Sequence, residues 1–186
     1  MPTGYFTMAE LANELRQGEI ISGLAQYFYD PKNSEVERIV HPFSVILSQD
    51  CDLLRDFESR KAEGASMSPL ANVILYMAEP AKDVKGAVGG SDIWKRVVGN
   101  NNERYHLLSS VPPEQDLLGQ GIENLVLDFR DFYSLPPEEI YKQFADGQAK
   151  RRSRLEMPYR EHLQCRAAFY FQRVVLPVPH KFTPAV

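Results

Sequence analysis

Ser48-Gln49-Asp50-Cys51-Asp52 sets a hydroxyl, an amide, two carboxylates and a thiol in a row at the end of the apolar run Pro42-Phe43-Ser44-Val45-Ile46-Leu47. An extended segment alternates its side chains. Cys51 then continues the parity of Phe43, Val45 and Leu47, and Asp50 and Asp52 continue that of Ser44, Ile46 and Ser48. On that parity Cys51 reads as a small core residue at the end of a sheet. The two carboxylates, about 6.6 Å apart by twice the strand rise, suit a Mg²⁺ or Ca²⁺ ion if a third oxygen joins them, and equally suit a solvated loop or a cap. His41, at the other end of the run, adds an imidazole able to move protons near neutral pH. A nucleophilic pair of His41 with Cys51 would need the chain to fold back, since the intervening strand would span roughly 33 Å. His106 or His162 is the better partner for the thiol. The catalytic candidates are His41, Ser48, Asp50, Cys51 and Asp52.

A second group of candidates is cationic. Residues 1–141 carry 12 Lys and Arg against 22 Asp and Glu, whereas residues 142–186 carry 9 against 3, so a body of charge −10 is followed by a segment of charge +6. Its densest part is Lys150-Arg151-Arg152-Ser153-Arg154. Either these cations pair with the acidic body, of the same molecule or of a second copy, or they face an acidic partner. A guanidinium grips phosphate oxygens two at a time, which makes Arg151, Arg152 and Arg154 the candidate nucleic-acid contacts. Tyr159, Phe169, Tyr170 and Phe171, near Arg160, Arg166 and Arg173, combine stacking faces with charge, although such a stripe at helical spacing also describes a core face.

The elements that must hold these residues are short. Thr7-Met8-Ala9-Glu10 has capping-box spacing, predicting a helix that ends at Gly18. Glu19 to Tyr29 and Val36 to Leu47 read as two strands joined by the turn Asp30-Pro31-Lys32-Asn33-Ser34. Arg55 to Pro69 reads as a solvated loop or short helix, and Asn72 to Ala78 as a buried strand. The Gly- and Asn-rich stretch from Lys82 to Asn102 reads as a mobile insertion. Strands follow at Tyr105 to Val111 and Leu125 to Phe129. A helix opens at Ser134-Leu135-Pro136-Pro137, and another spans about 158–173 with Tyr159, Leu163, Ala167, Tyr170 and Val174 on one stripe. Strands with helices mainly at the ends predict an α+β single domain, 1–186, on a small curved β-sheet or barrel.

The order of these pieces resembles the PemK/MazF-type toxin superfamily. Gly18-Glu19-Ile20 looks like its opening strand, His41-Pro42 before Ser44-Val45-Ile46-Leu47-Ser48 like its second element, and Leu125 to Arg130 with Ser134 to Ile140 like its last. The resemblance implies an SH3-like barrel over about 18–144, RNA as partner, and metal-independent endoribonuclease activity or an RNA-binding module derived from it. It departs from that pattern at His41, where the family has Arg, and at Ala78-Glu79-Pro80, where the family's Ser or Thr is missing. The Ser-x-x-Cys-Asp pattern also resembles uncharacterised bacterial proteins.

Two rival expectations stand beside it. One is a non-catalytic protein-interaction subunit of a bacterial defence or toxin–antitoxin-like assembly, with a protein partner or homodimer formed through the C-terminal helix. The other is a Cys- or metal-dependent hydrolase centred on Ser48 to Asp52. Phosphate-binding, dinucleotide, zinc-protease and EF-hand motifs are absent from the sequence, so no cofactor is expected. No apolar run is long enough to cross a bilayer and no signal peptide is recognisable, which predicts a cytoplasmic protein without membrane contact.

Overall fold

The structure is a computed structural model, described over residues 5–7, 14–61 and 70–172. In chain order the strands are β1 (Phe6–Thr7), β2 (Glu19–Ser22), β3 (Ala25–Asp30), β4 (Glu35–Val40), β5 (Phe43–Ile46), β6 (Val73–Pro80), β7 (Tyr105–Leu108), β8 (Leu125–Leu135) and β9 (Lys150–Leu155). The helices are α1 (Asp50–Lys61), α2 (Ala81–Lys85), α3 (Ser91–Val98), α4 (Pro137–Ala145) and α5 (Tyr159–Phe171). Among the described residues, seven strands form one curled antiparallel sheet in the order β1-β9-β2-β5-β6-β8-β7, while β3 and β4 pair only with each other. The expected α+β class with a small curved sheet is what the chain adopts.

Strand alternation divides the core. Ile20, Val45, Tyr76, Leu127 and Phe129 share one apolar cluster with Leu163 and Ala167 of α5. Their neighbours Ile21, Ile46 and Leu75 turn to a second cluster with Leu53 of α1 and Ile140 of α4. The sheet is therefore covered on both faces, and fully burying each such side chain is worth about 1.5–3 kcal/mol. This layering differs from helices placed at the ends.

The two long strands expected from Glu19 to Leu47 are each broken. At Gly23 φ is +79°, and a Cβ there would lie 2.8 Å from the Gln148 carbonyl, so the chain bends where a side chain cannot fit. The return break falls at His41-Pro42, where the His41 N–H donates to Leu24 O at 2.7 Å. Between these bends β3 and β4 form a separate ribbon closed by the expected turn.

Two further corrections and two further assignments follow. The expected mobile insertion holds α2 and α3, whose Val97 and Trp94 pack with Ala81 against Val126 of β8. The basic run 150–155 is a strand, β9, wedged between β1 and β2. Arg55 to Lys61 belongs to α1, which begins at Asp50. Thr7 ends β1 and residues 14–18 carry no helix, contrary to the helix expected to end at Gly18, while residues 8–13 of that helix, like Arg173 and Val174, lie outside the described residues.

Candidate functional site

Asp50 opens α1 and sits where three elements meet. Its carboxylate accepts from Arg154 Nη2 of β9 at 2.8 Å, from Arg160 Nη1 of α5 at 2.7 Å, and from the Gln17 N–H at 2.7 Å. Arg160 also reaches Glu161, and Arg154 Nε donates to Gln17 O. The structure thus joins two of the candidate residues, Asp50 and Arg154, in one ion pair.

The other residues of the segment separate. Because α1 starts at Asp50, Asp50 and Asp52 lie about 200° apart around a helix instead of on one side of a strand. Among the described residues no group of three His, Cys, Asp or Glu is placed to hold a metal ion. Cys51 is exposed, not in the core, and its sulfur lies 3.6 Å from Gln49 Oε1 and 3.8 Å from Asp52 Oδ1. Ser48 Oγ accepts from the Ile74 N–H at 2.9 Å and so ties α1 to β6. Ser48, Gln49 and Asp52 border an open groove with Asn72, Gln164 and Phe171.

His41 lies beyond the opposite end of β5, buried, with Nε2 2.9 Å from Gln26 Oε1 and its ring stacked on Tyr133 at 4.2 Å. The strand keeps it about 20 Å from Ser48 along the chain. Burial pushes its pKa below the ordinary histidine value.

The cationic candidates all have carboxylate partners. Arg151 pairs with buried Glu19 at 3.0 Å, and its guanidinium lies over Phe144. Arg152 grips Asp116 through Nε and Nη2 at 2.8 and 2.7 Å, both residues buried. Glu19 is itself perturbed: burial outweighs Arg151 and pushes its carboxyl up to about 7.

A different pair of residues brings two imidazoles together. His106 of β7 and His162 of α5 have ring centroids 5.5 Å apart and line a cavity of about 120 Å³ with Asn100, Ser109, Tyr5 and Tyr159. Arg166 Nη1 lies 3.0 Å from His106 Nδ1. A guanidinium can only donate, so Nδ1 accepts and the ring proton sits on Nε2. Burial, with Arg166 and His162 adding to it, pushes His106 down to about 3, keeping it a neutral donor at physiological pH. Arg166 is held in turn by Asn100 Oδ1 (2.9 Å) and the Tyr105 (3.0 Å) and Asn102 carbonyls. At the rim Tyr5 and Tyr159 have ring centroids 4.0 Å apart. The sequence offered His106 and His162 only as partners for Cys51. Their closeness depends on α5 crossing β7, which no local pattern encodes.

A third site is acidic. Glu79, Asp83, Asp128 and Asp131 line a cavity of about 180 Å³ with Arg104 and Tyr105. Burial, then Asp131, pushes Asp128 up to about 6 against the pull of Arg104, whose Nε donates to it at 2.7 Å.

Compared with known proteins, the chain matches no family model, no curated protein and no solved structure.

Proposed function

We propose that the protein acts on RNA, as a divergent PemK/MazF-like member with an SH3-like barrel, and that its reacting pocket is the one lined by His106 and His162. The observation that carries this reading is that two imidazoles, one of them held by Arg166, line one small cavity. RNA supplies its own nucleophile, so cleavage without metal needs a proton carrier and a donor for the phosphoryl oxygen. His162 takes the proton of the ribose 2′-OH, and O2′ bonds to phosphorus. The P–O5′ bond breaks, and the imidazolium returns the proton to the departing 5′ oxygen. The products are a 2′,3′-cyclic phosphate and a 5′-OH. Neutral His106 donates from Nε2 to a non-bridging oxygen, and the Tyr5–Tyr159 pair offers a stacking face for a base.

The test is a DNA oligonucleotide carrying one ribose, incubated with the protein in EDTA. Cleavage to a cyclic phosphate, lost in His162→Ala and absent with all-DNA substrate, supports the reading. Uncut substrate with the wild-type protein rejects its catalytic form, and an added absence of gel shift rejects RNA altogether.

One observation favours a second reading, a non-catalytic subunit of a defence or toxin–antitoxin-like assembly. Arg151, Arg152 and Arg154 each engage a carboxylate of the chain itself, while Phe169 and Phe171 of α5 stand more than half exposed. Co-purification of a partner lost on Phe169→Ser would support it.

A further inference from the structure

The β3–β4 ribbon carries apolar side chains on a surface that no element of the described residues covers. Tyr27, Phe28 and Tyr29 are 50%, 45% and 66% exposed, and Val36, Ile39 and Val40 of β4 are similarly open. Isolated two-stranded ribbons are marginal in water, and a free apolar edge invites a further strand.

Hydrogen bonding identifies which backbone groups are free. The Ala25 N–H donates to Gln143 Oε1 at 2.8 Å and its carbonyl accepts from Gln143 Nε2 at 2.9 Å, so both groups of Ala25 point away from β4. The His41 N–H donates to Leu24 O, which places the inward-pointing groups on Leu24, Gln26, Phe28 and Asp30. By alternation the N–H and C=O of Tyr27 and Tyr29 point outward. No side chain or loop of the described residues bonds them. Gln143 of α4 caps the edge at Ala25 and leaves four groups open beyond it.

We propose that a second copy of this chain completes that edge, β3 pairing antiparallel with the partner's β3 about a two-fold axis at Phe28. An axis normal to the ribbon places residues of the same parity opposite each other, which leaves few registers. With Phe28 opposite itself, Tyr27 pairs with the partner's Tyr29 and Tyr29 with the partner's Tyr27, and all four open groups find partners. Gln26 then faces the partner's Asp30, an amide against a carboxylate. Every central contact is aromatic on aromatic, a favourable cross-strand combination. Pairing stops one residue short of Ala25, where α4 begins to occupy the edge. Centring on Tyr27 would set Tyr29 against the already bonded Ala25. Centring on Tyr29 would set Tyr27 against Pro31, which has no N–H.

The β4 edge does not serve. Its two central registers put Glu37 opposite Glu37 or Arg38 opposite Arg38, and like charges directly across a ladder repel. The resulting contact is small. Three half-exposed aromatics per copy lose on the order of 300 Å² of side-chain surface, below the roughly 800 Å² per partner of standard interfaces, so the dimer is reversible and concentration-dependent.

Sedimentation equilibrium of the full chain tests this. The wild-type protein is expected to dimerise by about 100 µM, and Phe28→Lys, a change at an exposed position, to weaken the dimer roughly tenfold or more with an unchanged circular dichroism spectrum. In a Cys51→Ser, Cys165→Ser background, Phe28→Cys is expected to form an intermolecular disulfide readily, because a facing non-hydrogen-bonded pair brings the Cα atoms to about 4.5 Å. Val36→Cys, on the β4 edge, is expected to stay reduced. A wild-type monomer at about 100 µM, a dimer indifferent to Phe28→Lys, or equal crosslinking by both cysteines would each overturn the proposal.

Discussion

Arg166 donates to Nδ1 of His106 across 3.0 Å, and that contact decides which nitrogen of the imidazole holds the proton. A guanidinium that also binds two backbone carbonyls and Asn100 has little freedom to leave. Replacing Arg166 with Leu is expected to cost about 2–4 kcal/mol, because the carbonyls of Asn102 and Tyr105 lose their donor. The His106 pKa should rise only part of the way to 6.5, since burial is the larger cause of its depression. Denaturant unfolding and histidine NMR titration measure the two effects.

The pH dependence of stability has two opposed limbs. His106 is depressed from 6.5 to about 3, so the unfolded chain binds more protons between those values and stability falls as pH drops through that range. His41, also depressed, acts in the same direction. Glu19 is raised from 4.5 to about 7 and Asp128 from 3.8 to about 6, so the folded chain binds more protons there and stability falls as pH rises through those windows. Glu19→Gln should therefore gain on the wild type as pH goes from 4.5 to 8. A stability difference that stays constant across that range would contradict the burial argument.

Arg152 and Asp116 form a buried two-bond pair, and deleting one member strands the other. Asp116→Ala is expected to lose about 3–5 kcal/mol by chemical denaturation. The double variant Arg152→Met, Asp116→Leu should recover most of that loss, because no charge is left without a partner.

Asp50 holds two guanidiniums with one carboxylate. Asp50→Asn should cost about 1–2 kcal/mol, since the pair is only partly buried and the Gln17 N–H keeps an acceptor. It should also tighten binding to a polyanion and steepen the salt dependence by up to about two phosphate contacts. Gel shifts over a salt series give both quantities.

Both cysteines are exposed, so an aromatic disulfide reagent should titrate two thiols in the native protein without denaturant. Protection of Cys51 until unfolding would restore the core placement that its strand parity suggested.

Local chemistry wrote much of this fold visibly. The turn at Asp30 to Ser34, the strands at β6, β7 and β8, the proline-led α4 and the stripe of α5 were legible because each is encoded by neighbours a few residues apart. The start of α1 misled because its first residues continue a strand's parity, although Asp50 and Asp52 at its head and Arg60 and Lys61 at its tail match a helix dipole. β9 was hidden for a different reason. Pairing of Lys150 to Arg154 with the acidic body was one of the expected alternatives, but that the segment is a strand shows only once Glu19, Asp116 and Asp50 are brought beside it from distant parts of the chain. Of the candidate site, Asp50 with Arg154 was foreseen as two separate features, and the nearness of His106 to His162 was not encoded by any spacing.

The place of β9 between β1 and β2 has a consequence for the order in which the molecule can be built. On a ribosome, Phe6 and Glu19 emerge long before Arg151 and Leu155, yet both early strands pair with the late one. Until residue 155 is free, the β2 edge is open and the carboxyl of Glu19 has no guanidinium beside it. The pairing of β1 and of the second edge of β2 must therefore wait for β9, so the sheet closes only once the strand that carries the guanidinium for Glu19 has emerged.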